Sequence, residues 1–66
     1  MKNNLRVLRA IKNITQAELA EQIGVSRQTI NTIESGKYVP STVLSLKIAR
    51  VFCKPVEEIF CLEADD

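Results

Sequence analysis

The sequence contains no histidine and no tryptophan, and its 66 residues include only two cysteines and two glycines. Histidine is the commonest general base and a frequent metal ligand, so its absence removes the usual means of acid–base catalysis. Two thiols cannot complete a four-ligand zinc site within one chain, and two separated glycines do not form a glycine-rich phosphate loop. We therefore expect no enzyme activity, no metal ion, no cofactor and, without a second domain, no small-molecule ligand.

Long apolar segments are also missing. No run approaches the ~20 residues of a membrane span, and the N-terminus lacks the apolar part of a signal peptide. We therefore expect a cytoplasmic protein without membrane contact. Because 45% of the residues are hydrophobic, residues 1–66 are expected to form one small domain. A reducing compartment disfavours a disulfide, so Cys53 and Cys61 are interpreted as small apolar packing residues.

The charge is unevenly distributed, although the net charge is only +1. Residues 1–54 hold nine basic and three acidic side chains, whereas residues 55–66 hold five acidic side chains and no basic one. Such a gradient suits a basic body that faces phosphate and an acidic end that faces away. A solvated acidic tail explains the pattern equally well.

The segment from Thr15 to Tyr38 predicts two short helices joined by a tight turn. Thr15 and Glu18 have the spacing of a capping box. Gly24 ends the first helix because glycine adopts the left-handed conformation without steric cost. Ser26 is the N-cap of the second helix, whose apolar stripe is formed by Ile30 and Ile33.

The second helix leaves a polar face exposed. At about 100° per residue, this face lies roughly opposite the apolar stripe and carries no carboxylate. Arginine, glutamine and asparagine are the side chains that make paired hydrogen bonds to guanine and adenine edges in the major groove. The predicted base-recognition residues are Arg27, Gln28, Asn31 and Thr32.

Residues 16–35 resemble the helix-turn-helix of the lambda-repressor-like family, which includes phage repressors, Cro and the xenobiotic-response-element (XRE) group. The resemblance extends from Leu5 to Phe60 and rests on several features in the right order. These are Gln16, Ala20, Gly24, the apolar Val25, Ile30 and Ile33, the segments 34–37 and 40–41, and the stretch 46–52. It implies an all-α, five-helix fold that binds double-stranded DNA. Whether residues 1–4 and 61–62 form short extended segments remains open.

The resemblance also implies contacts to the DNA backbone. Gln16 begins the first helix of the motif, where helix N-termini favour anions. The predicted phosphate-contacting residues are Gln16, Ser26, Ser35, Lys37 and Tyr38. Solvation of Lys37 and packing of Tyr38 against Pro40 remain as alternatives.

Glu34 is the only acidic residue of the second motif helix. A carboxylate near DNA phosphates would be repelled, and the position of Glu34 beside the apolar stripe favours a paired, partly buried side chain. Arg9 resembles the helix-one arginine that pairs with this glutamate in the family. We therefore expect an Arg9–Glu34 ion pair.

The remaining helices are predicted from apolar spacing and caps. Helix one runs from Asn3 or Asn4 to Lys12, with Leu5, Leu8 and Ile11 on one face. Helix four follows the Ser41 cap to about Cys53, and a short fifth helix begins at Pro55.

The apolar residues of helix four exceed what one face needs. We assign Leu46, Ala49 and Phe52 to the core. The surplus and the apolar residues of the chain end are assigned to a homodimer interface within residues 41–62: Leu44, Ile48, Val51, Val56, Phe60, Cys61 and Leu62. Completion of a small monomer core is the alternative.

These features together predict a sequence-specific transcriptional regulator that acts as a homodimeric repressor on a palindromic operator. The alternative is a protein-interaction module or an antitoxin with the same fold. The exposed polar face of the second motif helix favours the regulator, because a groove binder does not need it.

Overall fold

The computed structural model describes residues 1–66 and contains five helices and two short strands. The elements in chain order are β1 (Lys2–Asn3), α1 (Leu5–Lys12), α2 (Gln16–Ile23), α3 (Arg27–Glu34), α4 (Thr42–Phe52), α5 (Val56–Ile59) and β2 (Phe60–Cys61). The predicted five helices are therefore confirmed, and a two-stranded sheet adds to the all-α prediction. None of the helices combines the length and apolar character that crossing a membrane requires.

Side-chain caps begin the central helices where the sequence predicts them. The Thr15 hydroxyl accepts from the Glu18 amide at 3.0 Å, and the Glu18 carboxylate accepts from the Thr15 amide at 2.9 Å. Ser26 accepts from the Thr29 amide at 3.1 Å and begins α3. Each cap satisfies an amide that the helix itself leaves free, which contributes about 1 kcal/mol.

Left-handed residues end three of the helices. Gly24 closes α2 with a φ of 75°, while Asn13 and Cys53 close α1 and α4 with φ values of 59° and 53°. A Cβ at Gly24 would meet no atom within 4 Å. Glycine is therefore favoured there by its backbone freedom and not by crowding.

The core is assembled from one face of every helix. Its twelve buried residues are Leu5, Leu8, Leu19, Ala20, Ile23, Ile30, Ile33, Leu44, Ile48, Ala49, Ile59 and Phe60. Full burial of a leucine or isoleucine side chain contributes about 1.5–3 kcal/mol to folding stability. The helix faces that carry these side chains therefore pack inward, and the opposite faces are exposed to solvent.

The sheet joins the two ends of the chain. β1 and β2 are antiparallel, with Lys2 opposite Cys61 and Asn3 opposite Phe60. The Asn3 side-chain amide also donates to the Ile33 carbonyl at 2.9 Å. The N-terminal segment is thus fixed both to the end of the chain and to α3.

The core face of α4 differs from the predicted one. Ile48 is 0% exposed and Leu44 9%, whereas Leu46, assigned to the core, is 57% exposed. The assignment of Ala49 to the core is confirmed, since Ala49 is buried beside Leu44 and Ile48, which have i, i+4 spacing. Leu46, which the prediction paired with Ala49 at i, i+3 spacing, lies outside this stripe. Phe60 is also buried. Leu44, Ile48 and Phe60 are therefore core residues and are not free for a self-contact.

Three other packing predictions were wrong. Ile11 is 76% exposed, because α1 packs against the core only through Leu5 and Leu8 and Ile11 lies near its C-terminal end. Cys53 and Cys61 are both exposed free thiols instead of packing residues. Cys53 lies just beyond α4, and Cys61 points away from the core because its strand neighbour Phe60 points into it.

Candidate nucleic-acid interface

The second and third helices pack against each other through their apolar faces. Ala20 and Ile23 of α2 and Ile30 and Ile33 of α3 are all buried. The tight turn between the helices is fixed by the Val25 amide, which donates to the Ala20 carbonyl at 3.0 Å. This packing leaves the opposite face of α3 in solvent.

The exposed face of α3 is polar throughout. Arg27, Gln28 and Asn31 are exposed, and together with Gln16 they line an open hollow of about 380 Å³ that contains no apolar side chain. Hydrogen-bond donors and acceptors therefore converge at the junction of α2 and α3. No three potential metal ligands lie together anywhere in the structure.

Thr32 differs from the other predicted base-recognition residues. It is half-buried, and its hydroxyl lies 3.1 Å from the Gln28 carbonyl and 2.9 Å from the Thr29 carbonyl. A hydroxyl has one proton, and here that proton is used within the helix. Thr32 can therefore offer a ligand only its methyl group or an oxygen lone pair.

The predicted phosphate-contacting residues flank this face. Ser35, Lys37 and Tyr38 are exposed at the C-terminal end of α3, and the Ser35 hydroxyl donates to the Thr32 carbonyl at 3.0 Å. Tyr38 is 46% exposed. Ser26 lies at the other end of α3, where its hydroxyl is used as the N-cap.

The Arg9 and Glu34 side chains form an ion pair between α1 and the last residue of α3. The Arg9 Nε contacts Glu34 Oε2, and its Nη2 donates to Oε1 at 3.1 Å. The Glu34 side chain is 0% exposed and that of Arg9 15%. Arg9 also donates to the Ile14 carbonyl at 3.1 Å, so the guanidinium joins three segments of the chain.

The pKa of Glu34 reflects two opposing effects. Burial raises the pKa of this carboxyl group, but hydrogen bonds from Arg9, Gln16 and Arg6 outweigh burial and hold it below its ordinary value. The hydrogen bond to Glu34 raises the pKa of Arg9. The carboxylate therefore stays ionised and, being buried, does not present its charge on the exposed face of α3.

Gln16 has a second role that sequence reasoning missed. Its side-chain nitrogen donates to Glu34 Oε1 at 3.0 Å and to Asn31 Oδ1 at 3.4 Å. The side chain thus connects the buried ion pair to the exposed face of α3. No local pattern indicates this contact, because its partners lie 15 and 18 residues away in sequence.

Comparison with known proteins agrees with this geometry. The sequence pattern of the helix-turn-helix family matches residues 5–59. The chain is 53% identical to the HTH-type transcriptional regulator MJ0272 of Methanocaldococcus jannaschii and 46% identical to the HTH-type transcriptional regulator YgzD of Bacillus subtilis, with full coverage of both proteins.

A solved structure shows the same fold. The crystal structure of the restriction-modification controller protein C.AhdI from Aeromonas hydrophila superposes with a TM-score of 0.77 at 34% identity, covering 85% of each chain. Sequence and structure comparisons therefore agree with the placement of the motif on α2 and α3. The chain belongs to the lambda-repressor-like helix-turn-helix family and is a DNA-binding transcriptional regulator, not an enzyme.

Proposed function

We propose that the protein binds a specific double-stranded DNA operator by inserting α3 into the major groove. The observation that carries this proposal is the exposure of Arg27, Gln28 and Asn31 on one face while the only carboxylate of α3 is buried in an ion pair. A face with donors and without exposed negative charge suits base edges that lie between two phosphate backbones.

Backbone contacts would fix the orientation of α3 in the groove. The amides of Gln16 and Ala17 at the start of α2 have no partner within the helix and suit a phosphate, whereas the Glu18 amide is capped by Thr15. Ser35, Lys37 and Tyr38 are exposed at the C-terminal end of α3, where they suit a second phosphate, and Ser26 is exposed at its N-terminal end, where it suits another. Contacts of this kind fix the register of the protein along the DNA and do not distinguish one base from another.

We further propose that the protein acts as a homodimer on a palindromic operator. One recognition helix contacts few bases, and each mismatch costs only about 1–3 kcal/mol. Two-fold symmetry doubles the contacts and requires half-sites about 34 Å apart, one turn of DNA. Of the predicted interface residues, Cys61 and Leu62 are exposed and Val51 and Val56 are half-buried, so these four remain in the proposed interface.

Repression follows from occupancy of promoter DNA in this proposal. A selection from random duplexes, followed by footprinting upstream of the protein's own gene, tests it. We expect a palindromic site with two protected half-sites and lower transcription when the protein is present. Selection of no sequence would refute specific DNA binding, and increased transcription would refute repression.

A second candidate is a protein-interaction role, such as that of an antitoxin. The exposed apolar side chains of Val39, Val43 and Leu46 favour it, with exposures of 60%, 64% and 57%. Scattered exposed apolar residues are common on soluble proteins, so this observation is weaker than the polar face of α3. A partner whose binding is abolished by Leu46→Asp, in a variant that binds DNA normally, would establish the second role.

A further inference from the structure

The junction between the buried ion pair and the exposed face of α3 contains a chain of polar contacts. Arg9 donates to Glu34, and the Gln16 side-chain nitrogen donates to both Glu34 Oε1 and Asn31 Oδ1, at 3.0 Å and 3.4 Å. One nitrogen atom therefore bridges a fully buried carboxylate and an exposed asparagine. The proposed function gives no role to this bridge.

The carboxylate determines which way both amides are turned. An ionised carboxylate only accepts hydrogen bonds, so Gln16 must direct its NH₂ group, and not its oxygen, toward Glu34. The pKa of Glu34 is held low by its donors, which keeps the carboxylate in the accepting form. Only one orientation of the Gln16 amide pairs donors with acceptors in this network.

The same argument extends to Asn31. The second proton of the Gln16 amide points toward Asn31, and an Asn31 NH₂ group at that position would place two donors against each other. Asn31 therefore turns Oδ1 toward Gln16 and Nδ2 toward the solvent. Asn31 is exposed and lines the polar hollow with Arg27 and Gln28, so Nδ2 is available to a ligand.

We propose that Gln16 is a positioning residue that holds the Asn31 amide with its nitrogen outward, so that Asn31 selects guanine over adenine. This inference rests on the proposed function, since it assumes that α3 contacts base edges. A paired contact to adenine needs the asparagine oxygen to accept from N6 while its nitrogen donates to N7. Guanine presents two acceptors, N7 and O6, and suits a side chain whose outward nitrogen, Asn31 Nδ2, carries two protons and no acceptor.

The test compares base preferences of purified variants on random duplexes. Asn31→Ala locates the operator position that Asn31 contacts, because the preference is lost there. At that position we expect the wild-type protein to favour guanine over adenine by roughly tenfold. Gln16→Met, which keeps the length of the side chain and removes its donor, should reduce this ratio to within roughly twofold, because the Asn31 amide can then rotate.

A ratio is the appropriate readout because Gln16 also lies at a proposed phosphate contact. Loss of that contact weakens binding to every sequence alike and cancels in the ratio. Gln22→Met is the matched control: Gln22 is an exposed glutamine on the same helix, outside the polar hollow. This variant should keep both the affinity and the guanine preference of the wild type.

Gln16→Lys provides a rescue, since an ammonium group has donors and no acceptor. It should restore the guanine preference that Gln16→Met loses, even if its overall affinity changes. An unchanged preference in Gln16→Met, a wild-type preference for adenine, or no position affected by Asn31→Ala would each overturn the inference while leaving specific DNA binding intact. A wild-type protein that selects no sequence overturns the proposed function as well.

Discussion

Arg9 on α1 contacts the fully buried carboxylate of Glu34, the last residue of α3, through two guanidinium nitrogens. The contact connects the first helix to the helix that carries the exposed polar face. Because the carboxylate has no access to water, it depends on its protein donors for solvation. The pair therefore links the stability of the fold to the position of α3.

Removal of either partner should destabilise the fold strongly. We expect Arg9→Ala and Glu34→Ala each to lower the free energy of unfolding by about 3–5 kcal/mol, because each leaves a buried charge or an empty donor set. The double variant should lose less free energy of unfolding than the sum of the losses in the two single variants. Urea unfolding of all four proteins measures the coupling.

Arg6→Ala is the control for this cycle. The Arg6 Nε lies 3.5 Å from Glu34 Oε1, but its side chain is 70% exposed. Exposed pairs contribute about 0–1 kcal/mol, so this variant should unfold almost as the wild type does. Additive effects of Arg9→Ala and Glu34→Ala would show that the two side chains do not stabilise each other.

The ion pair should also make stability depend on pH. The pKa of Glu34 is lower in the folded protein than its ordinary value of 4.5. Its contribution is therefore fully present above about pH 4.5 and is lost as the pH falls through the lower folded value. Urea unfolding at neutral pH and at about pH 3 should show the advantage of wild type over Glu34→Gln shrinking in acid. An advantage that is constant with pH would contradict this mechanism.

The local signals in the sequence predicted the helix ends well. The caps at Thr15 and Ser26 and the left-handed residue Gly24 all occur as expected, because a cap depends on residues within one turn of itself. These signals, with the resemblance to the family, were sufficient to place the motif on α2 and α3.

Packing and long-range polar contacts were harder to predict. The choice between the stripe of Leu44, Ile48 and Ala49 and the stripe of Leu46, Ala49 and Phe52 as the core face of α4 depends on how that helix is rotated against its neighbours. Both stripes are apolar, so periodicity alone does not decide. The contacts of Gln16 likewise depend on the angle between α2 and α3, which no short segment of sequence encodes.

If Arg27 and Gln28 contact bases, replacing either one should reduce base discrimination only at particular operator positions. Arg27→Ala and Gln28→Ala should each weaken specific binding by about 1–3 kcal/mol and relax discrimination at one base position per half-site. Both side chains are exposed at the start of α3, where helix-turn-helix proteins contact bases. Sequence selection with each variant measures the change, and an unaltered preference in both would remove them from the recognition set.

Replacement of Lys37 should weaken binding to all DNA sequences and leave base discrimination unchanged. Lys37→Ala should weaken binding similarly across sequences and reduce the slope of log affinity against log salt by about one unit. Lys47→Ala is the matched control, since this exposed lysine lies on α4 beside the C-terminal end of α2. Equal slopes for wild type and Lys37→Ala would mean that Lys37 does not contact phosphate.

Assembly can be tested at surface residues now that the core of α4 is known. Ile48→Asp would place a charge at a fully buried position and unfold the domain, so it does not report on association. Leu62→Asp is the better variant, because Leu62 is 75% exposed and lies just beyond β2. A charge there should disrupt a two-fold contact and leave the monomer folded.

Ile11→Asp is the control, with an equally exposed apolar side chain on α1. Sedimentation at micromolar concentration should show a dimer for wild type and Ile11→Asp and a monomer for Leu62→Asp. The monomeric variant should also lose affinity for a full palindrome, because a single half-site provides only half of the base contacts. A wild-type monomer that protects one half-site only would refute the dimeric arrangement, whereas a dimer in all three proteins would move the interface away from Leu62.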